Sequence, residues 1–235
     1  MKTRVIAAAA AAALGAHAHA AASFTTVNNN GPEMNQATLL GVIYGGSWSR
    51  IAGTQSYTNG ALTAFRVADA GLATPIDIAA SNHTLVHDTL WQGGPATLTL
   101  KAKVAADSHT FGFISDAVTP AAGSGYQPVF STETLNNPVT TTLPADFRWA
   151  LHDTTTGQLL TSRAADNPTG MDQLITYRLL GQTISRPTWL IAWEDRTSNS
   201  DRDFNDAVVE VTAVPAPGCA VLVGLGMILT HRRRR

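Results

Sequence analysis

The sequence predicts an all-β protein, an antiparallel β-sandwich of the jelly-roll kind, built as one principal domain. Between its two ends the chain consists of short segments with alternating or continuous β-branched and aromatic residues. Gly, Pro and Asn separate these segments, and no long stretch carries the apolar period of an amphipathic helix. With 235 residues, of which 44% are hydrophobic and 14% charged, the chain is long enough to bury one sizeable core.

The clearest predicted strand covers residues 97–104, where Leu98, Leu100, Ala102 and Val104 alternate with Thr and Lys. This period of two places one face of the strand in a core and the other in solvent. Further strands are predicted at 37–44, 61–67, 110–114, 147–151, 174–180, 188–193 and 207–214. We expect residues 22–35 to form a loose leader. Residues 119–145, rich in Thr, Pro and Gly, are expected to form a long surface loop.

The N-terminus, residues 1–22, has the pattern of a secretory signal peptide. Lys2 and Arg4 precede an almost wholly apolar run, and Ala18-His19-Ala20 is a small-x-small cleavage pattern. A buried N-terminal helix is the alternative, but basic residues placed only in front of an alanine-rich run favour export. We therefore expect a signal helix, followed by a mature chain that begins near residues 21–23.

The C-terminus combines a proline motif, Val214-Pro215-Ala216-Pro217, with an apolar segment at 219–229 and four arginines at 232–235. A helix of this apolar length reaches less than about 20 Å, whereas the hydrocarbon core of a bilayer is about 30 Å thick. The basic end still favours a hydrophobic helix at a membrane, because it satisfies the positive-inside rule and arginine can snorkel to the interface.

This tail, residues 214–235, resembles the sorting signal of PEP-CTERM proteins, in which a membrane protease called an exosortase recognises a proline motif, a short apolar helix and a basic end. The motif here lacks the glutamate of the family name. The resemblance implies that the β-sandwich domain, residues 23–213, is exported to the surface of a bacterial cell or to the extracellular matrix. An exosortase-type enzyme is the implied partner, and the tail is then either removed or held in the membrane.

The charge of the predicted domain differs from that of the whole chain. The chain has 16 Lys and Arg against 17 Asp and Glu, but six of the basic residues lie in the two terminal segments. Residues 23–213 therefore carry ten basic and 17 acidic residues, a balance of −7. An acidic domain is a poor candidate for binding nucleic acid or anionic lipid, and a better one for binding cations.

The acids are concentrated at residues 193–206, where five carboxylates and two asparagines fall within fourteen residues. The flanking segments, 188–193 and 207–211, are predicted to pair as neighbouring strands, with residues 196–200 as the turn between them. That pairing brings the end of one strand close to the D-x-D-x-N-D run at the start of the next. The candidate metal ligands are Glu194, Asp195, Asp201, Asp203, Asn205 and Asp206.

On an extended strand, Asp201, Asp203 and Asn205 would be spaced by ~7 Å, which is too open for one ion. Ligation therefore requires the chain to curl, with Phe204 pointing into the core. The D-x-D-x-N spacing is that of the first half of an EF-hand loop, although the later glycine and glutamate of an EF-hand are absent. An oxygen-only ligand set favours Ca²⁺ over a transition metal. The alternative is a solvated hairpin in which Arg196 and Arg202 pair with the acids.

Residues 171–209 also resemble a widespread bacterial surface domain of unknown function. In that family a strand ending in aromatic-Glu-Asp leads through a turn rich in Gly and Asp into D-x-D-[FY]-N-D and a valine-rich strand. Here the turn glycines are replaced by Thr197-Ser-Asn-Ser200, and Gln173 stands where the family often has histidine. The resemblance implies an extracellular β-domain and suggests Ca²⁺ binding.

These observations favour a non-enzymatic exported β-sandwich protein, stabilised by Ca²⁺ at the 194–206 turn. One alternative is a carbohydrate-binding module or adhesin, in which Ca²⁺ organises a site for an exopolysaccharide or other surface glycan. Tryptophans would line its groove, and Trp48 is the one expected to be exposed. The other alternative is a glycan-active hydrolase with two carboxylates about 5–10 Å apart. No catalytic residue is assigned, because the sequence has no G-x-S-x-G, H-E-x-x-H or phosphate-loop motif.

Overall fold

A computed structural model describes residues 21–31, 33–115, 125–198 and 200–215 of the chain. A helix, α1, covers Gln36–Tyr44, and a short 3-10 helix covers Ala164–Asp166. The strands are β1 (Ser49–Arg50), β2 (Tyr57–Thr58), β3 (Leu62–Arg66), β4 (Thr74–Asp77), β5 (Val86–Gln92), β6 (Pro95–Lys103), β7 (His109–Ser115), β8 (Tyr126–Ser131), β9 (Val139–Thr142), β10 (Asp146–Asp153), β11 (Leu159–Thr161), β12 (Leu174–Gly181), β13 (Thr188–Trp193) and β14 (Ala207–Ala213).

The strands form two sheets. The larger sheet has eight strands in the order β1-β2-β3-β12-β13-β14-β6-β9, and its pairs are antiparallel. The smaller sheet has the order β4-β5-β10-β7-β8, with β11 beside β10, and its β4–β5 pair is parallel. Two mostly antiparallel sheets are compatible with the predicted all-β sandwich, whereas the jelly-roll topology stays a prediction.

The main core lies between the two sheets and is rich in tryptophan. Trp91 packs edge-on against Trp149 of its own sheet and Trp189 of the larger sheet, with ring centroids 5.7 and 5.8 Å apart. Trp193, the last residue of β13, is also fully buried in this core, together with Val209 of β14. Because aromatic packing holds both strands at this level, the residues that follow Trp193 start from a rigid position.

A second core lies on the opposite face of the larger sheet, beneath α1. Leu39 and Leu40 of the helix, Tyr177 of β12 and Val208 of β14 are buried there with Phe204. The larger sheet is thus covered on both faces over β12, β13 and β14. That double burial explains why β13 is buried at every position instead of alternating.

The prediction of a strand at 37–44 is wrong, since these residues belong to α1. Asn35 caps the helix by accepting a hydrogen bond from the Thr38 N–H, and Gly45 ends it with a φ of 74°. The apolar run fits a short buried helix as well as a strand, so the two caps decide the structure.

Two loop predictions are also corrected. The segment 119–145, expected to be a surface loop, contains β8 and β9. The leader, residues 22–35, is fastened instead of loose: Ser23 pairs with Ala70, and the Asn28 N–H donates to the Arg202 carbonyl at 2.9 Å. The described residues of the leader therefore belong to the folded domain.

Most of the predicted targeting segments lie outside the described residues. These are residues 1–20 of the predicted signal peptide and residues 216–235 of the predicted sorting tail, for which a hydrophobic helix is predicted. Among the described residues, no helix is long and apolar enough to cross a membrane.

Candidate metal centre at the acidic turn

The acidic turn, residues 194–206, joins β13 to β14 as predicted. The two strands are paired up to Trp193 and Ala207, and the Asp206 N–H donates to the Trp193 carbonyl at 3.1 Å. The Glu194 N–H, on the other side, donates to the Gln173 carbonyl at 2.9 Å. Both ends of the turn are therefore fixed by backbone hydrogen bonds to buried strands.

The D-x-D-x-N run is curled, as ligation requires. Arg202 and Phe204 both have positive φ values, 60° and 55°, in a region that non-glycine residues rarely occupy. Phe204 is fully buried in the second core, which stabilises this otherwise unfavourable backbone. The prediction that Phe204 anchors a curled loop is confirmed.

The curl brings three of the predicted ligands into one compact set, which we call the inner group: Glu194, Asp195 and Asp206. One carboxylate oxygen from each lies within 4.8 Å of the others. Glu194 and Asp195 are buried, whereas Asp206 is half-buried. The Asp195 N–H donates to Asp206 Oδ2 at 2.8 Å and so holds the two strand ends together.

A second set, the outer group, contains Asp201, Asp203 and a residue that the sequence analysis missed, Glu33 of the leader. Their carboxylate oxygens also lie within 4.8 Å of one another, with Asp203 buried and Glu33 exposed. Glu33 is absent from the predicted ligand set because it lies more than 160 positions before the turn. The six predicted ligands thus fall into two neighbouring places instead of one.

Asn205, the remaining predicted ligand, supports the turn through its amide nitrogen. Its Nδ2 donates to Asp203 Oδ2 at 2.6 Å and to the Met34 carbonyl at 2.9 Å. The side chain therefore ties the outer group to the leader and leaves its oxygen, Oδ1, available for another partner.

Several buried oxygens at the turn have no hydrogen-bond partner among the described residues. They are Glu194 Oε2, Asp203 Oδ1 and Asn205 Oδ1, and the amide of Gln173 beside Glu194 is unpartnered at both atoms. All four residues are at most 3% exposed. Buried polar atoms in folded proteins almost always have partners, so these oxygens are the atoms of the turn that are free to bind a cation.

The acids themselves indicate an excess of negative charge. Burial, reinforced by Asp201, raises the pKa of Glu194 to about 7. Burial together with Asp201, Glu194 and Glu33 raises the pKa of Asp203 to about 7, and burial together with Asp195 and Glu194 raises the pKa of Asp206 to about 8. Each group is pushed toward its neutral form, first because it is buried and second because its neighbours are acids.

The two arginines of the turn do not neutralise this charge. Arg196 is 58% exposed and bonds mainly to Asp107, at 2.9 Å, with its Nε 3.9 Å from Asp195. The guanidinium of Arg202 lies over the ring of Phe204, 5.5 Å from its centroid. The alternative of a solvated hairpin requires both arginines to pair with the acids of the turn. Among the described contacts, only the long Arg196–Asp195 pair supports it.

The inner group also faces two features that sequence spacing does not reveal. His109 of β7 is buried, and its Nε2 lies 3.0 Å from Asp195 Oδ2, which holds that carboxylate from the side of the smaller sheet. A cavity of about 340 Å³ opens beside the turn and is lined by carboxylates of both groups, including Glu33, Glu194 and Asp206. This cavity is open to solvent.

A second cluster of acids, the Arg66 cluster, lies at neighbouring strand ends and contains Arg66, Asp69, Asp88 and Asp172. Arg66 Nη2 lies 2.5 Å from Asp69 Oδ1, and its Nη1 lies 3.9 Å from Asp88 Oδ2. The hydroxyl of Thr25, in the leader, donates to Asp172 Oδ2 at 3.0 Å. Burial and the neighbouring Asp69 raise the pKa of Asp172 to about 7, and burial raises that of Asp88 well above its usual range.

The tryptophans do not form an exposed platform. Trp91, Trp149, Trp189 and Trp193 are fully buried, and Trp48 is only 8% exposed, so its predicted exposure is wrong. Trp48 packs beneath α1 with its Nε1 donating to the Gly45 carbonyl at 3.0 Å, because the two glycines before it turn the chain back onto the helix.

A model of a known protein family matches part of the chain. No curated protein matches the chain. The region that matches the family model, residues 105–214, includes β7 to β14 and the whole acidic turn, but not the leader with its Glu33. The matched region also contains residues 171–209, whose sequence predicted a resemblance to a domain of unknown function. Residues 105–214 of this chain match the family model described as a domain of unknown function, DUF4114.

Proposed function

We propose that this chain is an exported, non-enzymatic β-sandwich protein of the cell surface or extracellular matrix, and that bound Ca²⁺ stabilises its acidic turn. The observation that carries the proposal is the set of buried oxygens without partners: Glu194 Oε2, Asp203 Oδ1 and Asn205 Oδ1. Leaving such atoms unpartnered costs about 1–3 kcal/mol each. A cation at the turn removes that cost and the repulsion between the acids at the same time.

Calcium is favoured over other metals by the chemistry of the ligands. The atoms that converge are carboxylate and amide oxygens, which are the ligands of hard cations. Ca²⁺ accepts irregular coordination with six to eight oxygens, whereas Mg²⁺ requires near-ideal octahedral geometry. A curled loop that supplies acids from two strand ends suits the more tolerant ion.

A structural role fits the location of the turn better than a catalytic one. Glu194 follows Trp193 of the main core directly, and Phe204 inserts into the second core. An ion between them therefore links both cores of the larger sheet. The glycan-site alternative loses the exposed tryptophans on which it depended, and the hydrolase alternative gains no further support from the acids.

Export and surface location are proposed from the two ends of the sequence. The signal-peptide pattern before residue 23 and the PEP-CTERM-like tail after residue 213 support delivery through the membrane. In this proposal an exosortase-type enzyme acts at the tail, the C-terminal helix anchors the chain before processing, and the acidic domain does not bind nucleic acid.

A thermal melt of the purified full chain, first in EDTA and then in millimolar Ca²⁺ or Mg²⁺, tests the calcium proposal. A Ca²⁺ concentration one hundred times the dissociation constant adds about 2.7 kcal/mol to the free energy of unfolding. For a domain of this size, that gain raises the melting temperature by about 5–10 °C. We expect this increase with Ca²⁺ and a much smaller one with Mg²⁺.

Two variants locate the effect. Asp203→Ala and Asp206→Ala should each reduce the Ca²⁺ increment, since each removes an acid from one of the two groups. Asp146→Ala is the matched control, because Asp146 is an exposed acid that belongs to neither of the two groups. An unchanged melting temperature in Ca²⁺ would show a solvated acidic hairpin and overturn the proposal.

A further inference from the structure

The carboxylates at the acidic turn form two separate sets, each compact enough for one ion. Within the inner group and within the outer group, one oxygen from each acid lies within 4.8 Å of the others. Oxygen ligands of Ca²⁺ lie about 2.3–2.6 Å from the ion, so two ligands on opposite sides of one ion are about 4.6–5.2 Å apart. The spread of oxygens within each group is therefore that of the ligands of a single ion. The six acids together do not form one set of this size.

We propose that the acidic turn holds two Ca²⁺ ions, and that Glu33 of the leader is a ligand of the outer one. The inner ion is bound by Glu194, Asp195 and Asp206, and the outer ion by Glu33, Asp201 and Asp203. This inference rests on the proposed function, because it assigns ions within the same turn. The inference goes further in two ways: it adds a ligand, Glu33, outside the segment 105–214, and it predicts that the outer ion fixes the leader over the turn.

Each group has its own buried oxygen without a partner among the described residues. In the inner group this atom is Glu194 Oε2, on a residue that is 3% exposed. In the outer group it is Asp203 Oδ1, on a residue that is 2% exposed. A single ion in the inner group leaves Asp203 Oδ1 unsatisfied, whereas two ions give each of these atoms a partner.

The charge of the turn also favours two ions. The six acids of the two groups carry six negative charges when ionised. One Ca²⁺ leaves four of these uncompensated, whereas two Ca²⁺ leave two. Arg196 is exposed and bonded mainly to Asp107, so it compensates little of the remainder.

The leader is already held on both sides of Glu33, which gives the outer ion a structural consequence. Asn205 Nδ2 donates to the carbonyl of Met34, and Gln36 Nε2 donates to the carbonyls of Asp203 and Phe204 at 2.6 and 3.0 Å. Asn28 Nδ2 donates to the Asp201 carbonyl at 3.0 Å. A cation bound by Glu33 therefore closes the leader over the turn, and its removal loosens the leader first.

The stoichiometry of Ca²⁺ tests the inference on the purified full chain. Native mass spectrometry and equilibrium dialysis with Ca²⁺ count the ions, while hydrogen exchange follows the amides of residues 25–36. We expect two ions in the wild-type chain and one in Glu33→Ala, with faster exchange in the leader. Asp146→Ala, which removes an exposed acid elsewhere, should keep two ions and a protected leader.

The outcomes separate this inference from the proposed function. One ion in both the wild-type chain and Glu33→Ala would overturn the two-ion assignment and leave a calcium-stabilised turn. Two ions in both would overturn the role of Glu33. No bound ion in the wild-type chain would overturn the two-ion inference and the proposed function together. Glu33 is exposed in a loop, so its substitution leaves both cores intact.

Discussion

The acidic turn and the Arg66 cluster are two concentrations of buried acids at neighbouring strand ends, and they differ in how their charge is compensated. In the Arg66 cluster a buried guanidinium, 2% exposed, lies 2.5 Å from Asp69. The acidic turn has no comparable buried guanidinium among its described residues, since Arg196 is exposed and Arg202 lies over Phe204. Its buried basic side chain is His109, whose Nε2 lies 3.0 Å from Asp195 Oδ2. The Arg66 cluster contains its own cation, whereas in our proposal the acidic turn binds one from solution.

This difference teaches how to separate structural acids from metal ligands. An acid whose oxygens are bonded to an internal arginine is part of the packing, and removing either partner leaves a buried charge. An acid with an unpartnered buried oxygen and only acids as neighbours gains by binding a cation or a proton. The leader contacts both clusters, through Thr25 at Asp172 and through Asn28 at Asp201.

The largest expected effect is that of Arg66→Met. Removing the guanidinium leaves Asp69, Asp88 and Asp172 without a cation in a buried site, which costs about 3–5 kcal/mol. Denaturant unfolding should show this loss equally in EDTA and in Ca²⁺. Arg50→Met, at an exposed arginine, is the control and should behave as the wild-type chain.

If Arg66→Met does not fold, the double variant Arg66→Met/Asp69→Asn provides the test. Neutralising the acid that bonded to Arg66 should restore part of the stability. A double variant no more stable than the single one would show that Arg66 acts by packing against Tyr177, whose ring lies 6.0 Å from the guanidinium carbon, and not by compensating charge.

A smaller effect with a different sign is expected for Asp203→Asn. The amide keeps the shape of the side chain but removes one charge from the outer group, so the variant should be at least as stable as the wild-type chain in EDTA. In Ca²⁺ it should lack much of the increment of about 2.7 kcal/mol expected for a bound ion. Asp69→Asn, in the Arg66 cluster, should be destabilised with and without Ca²⁺. Equal destabilisation of Asp203→Asn in both conditions would make Asp203 a packing acid.

The two clusters also show what could be predicted from the sequence. The acidic turn was found because its predicted ligands lie within thirteen positions, between two strands with clear apolar patterns. The Arg66 cluster draws its members from positions 66 to 172, and Glu33 joins the turn from the leader. Sequence spacing gives no signal for such contacts, because the pairing of β3 with β12 and the path of the leader create them.

The errors in the fold have local causes. The continuous apolar run at residues 37–44 has no period and so fits a strand as well as a buried helix, and only the caps at Asn35 and Gly45 distinguish the two. Trp48 was predicted to be exposed because glycines precede it, yet those glycines return the chain to α1. In both cases one short helix, invisible in the apolar pattern, changed the environment of its neighbours.

The pH dependence of the free energy of unfolding should reveal the protonation of Asp172. Its pKa is about 7 in the folded protein and near 3.8 in the unfolded chain, so the folded state binds a proton between these values. The contribution of Asp172 to the free energy of unfolding is therefore fully present below about pH 4 and is lost as the pH rises through 7. The loss is at most about 1.4 kcal/mol per pH unit.

Melts at saturating Ca²⁺ separate this dependence from that of the turn, whose acids are then ionised. Asp172→Asn should flatten the profile between pH 5 and 7, whereas Asp146→Asn should leave it unchanged. Arg66, Asp69 and Asp88 face Asp172, so an unflattened profile would assign the proton to Asp88, whose pKa is also raised.

The smallest effect is expected for Arg196→Gln, which compares an exposed arginine with the buried Arg66. Because Arg196 is 58% exposed, its bonds to Asp107 and Asp195 are screened by water, and the melting temperature in EDTA should change by no more than about 2 °C. In low salt the variant should bind Ca²⁺ about two- to fivefold more tightly, since a positive charge near the inner group competes with the ion. Calcium titration at two salt concentrations measures this change. Weaker binding would show that Arg196 holds Asp195 in place, and the acidic turn would then resemble the Arg66 cluster in depending on an arginine of its own.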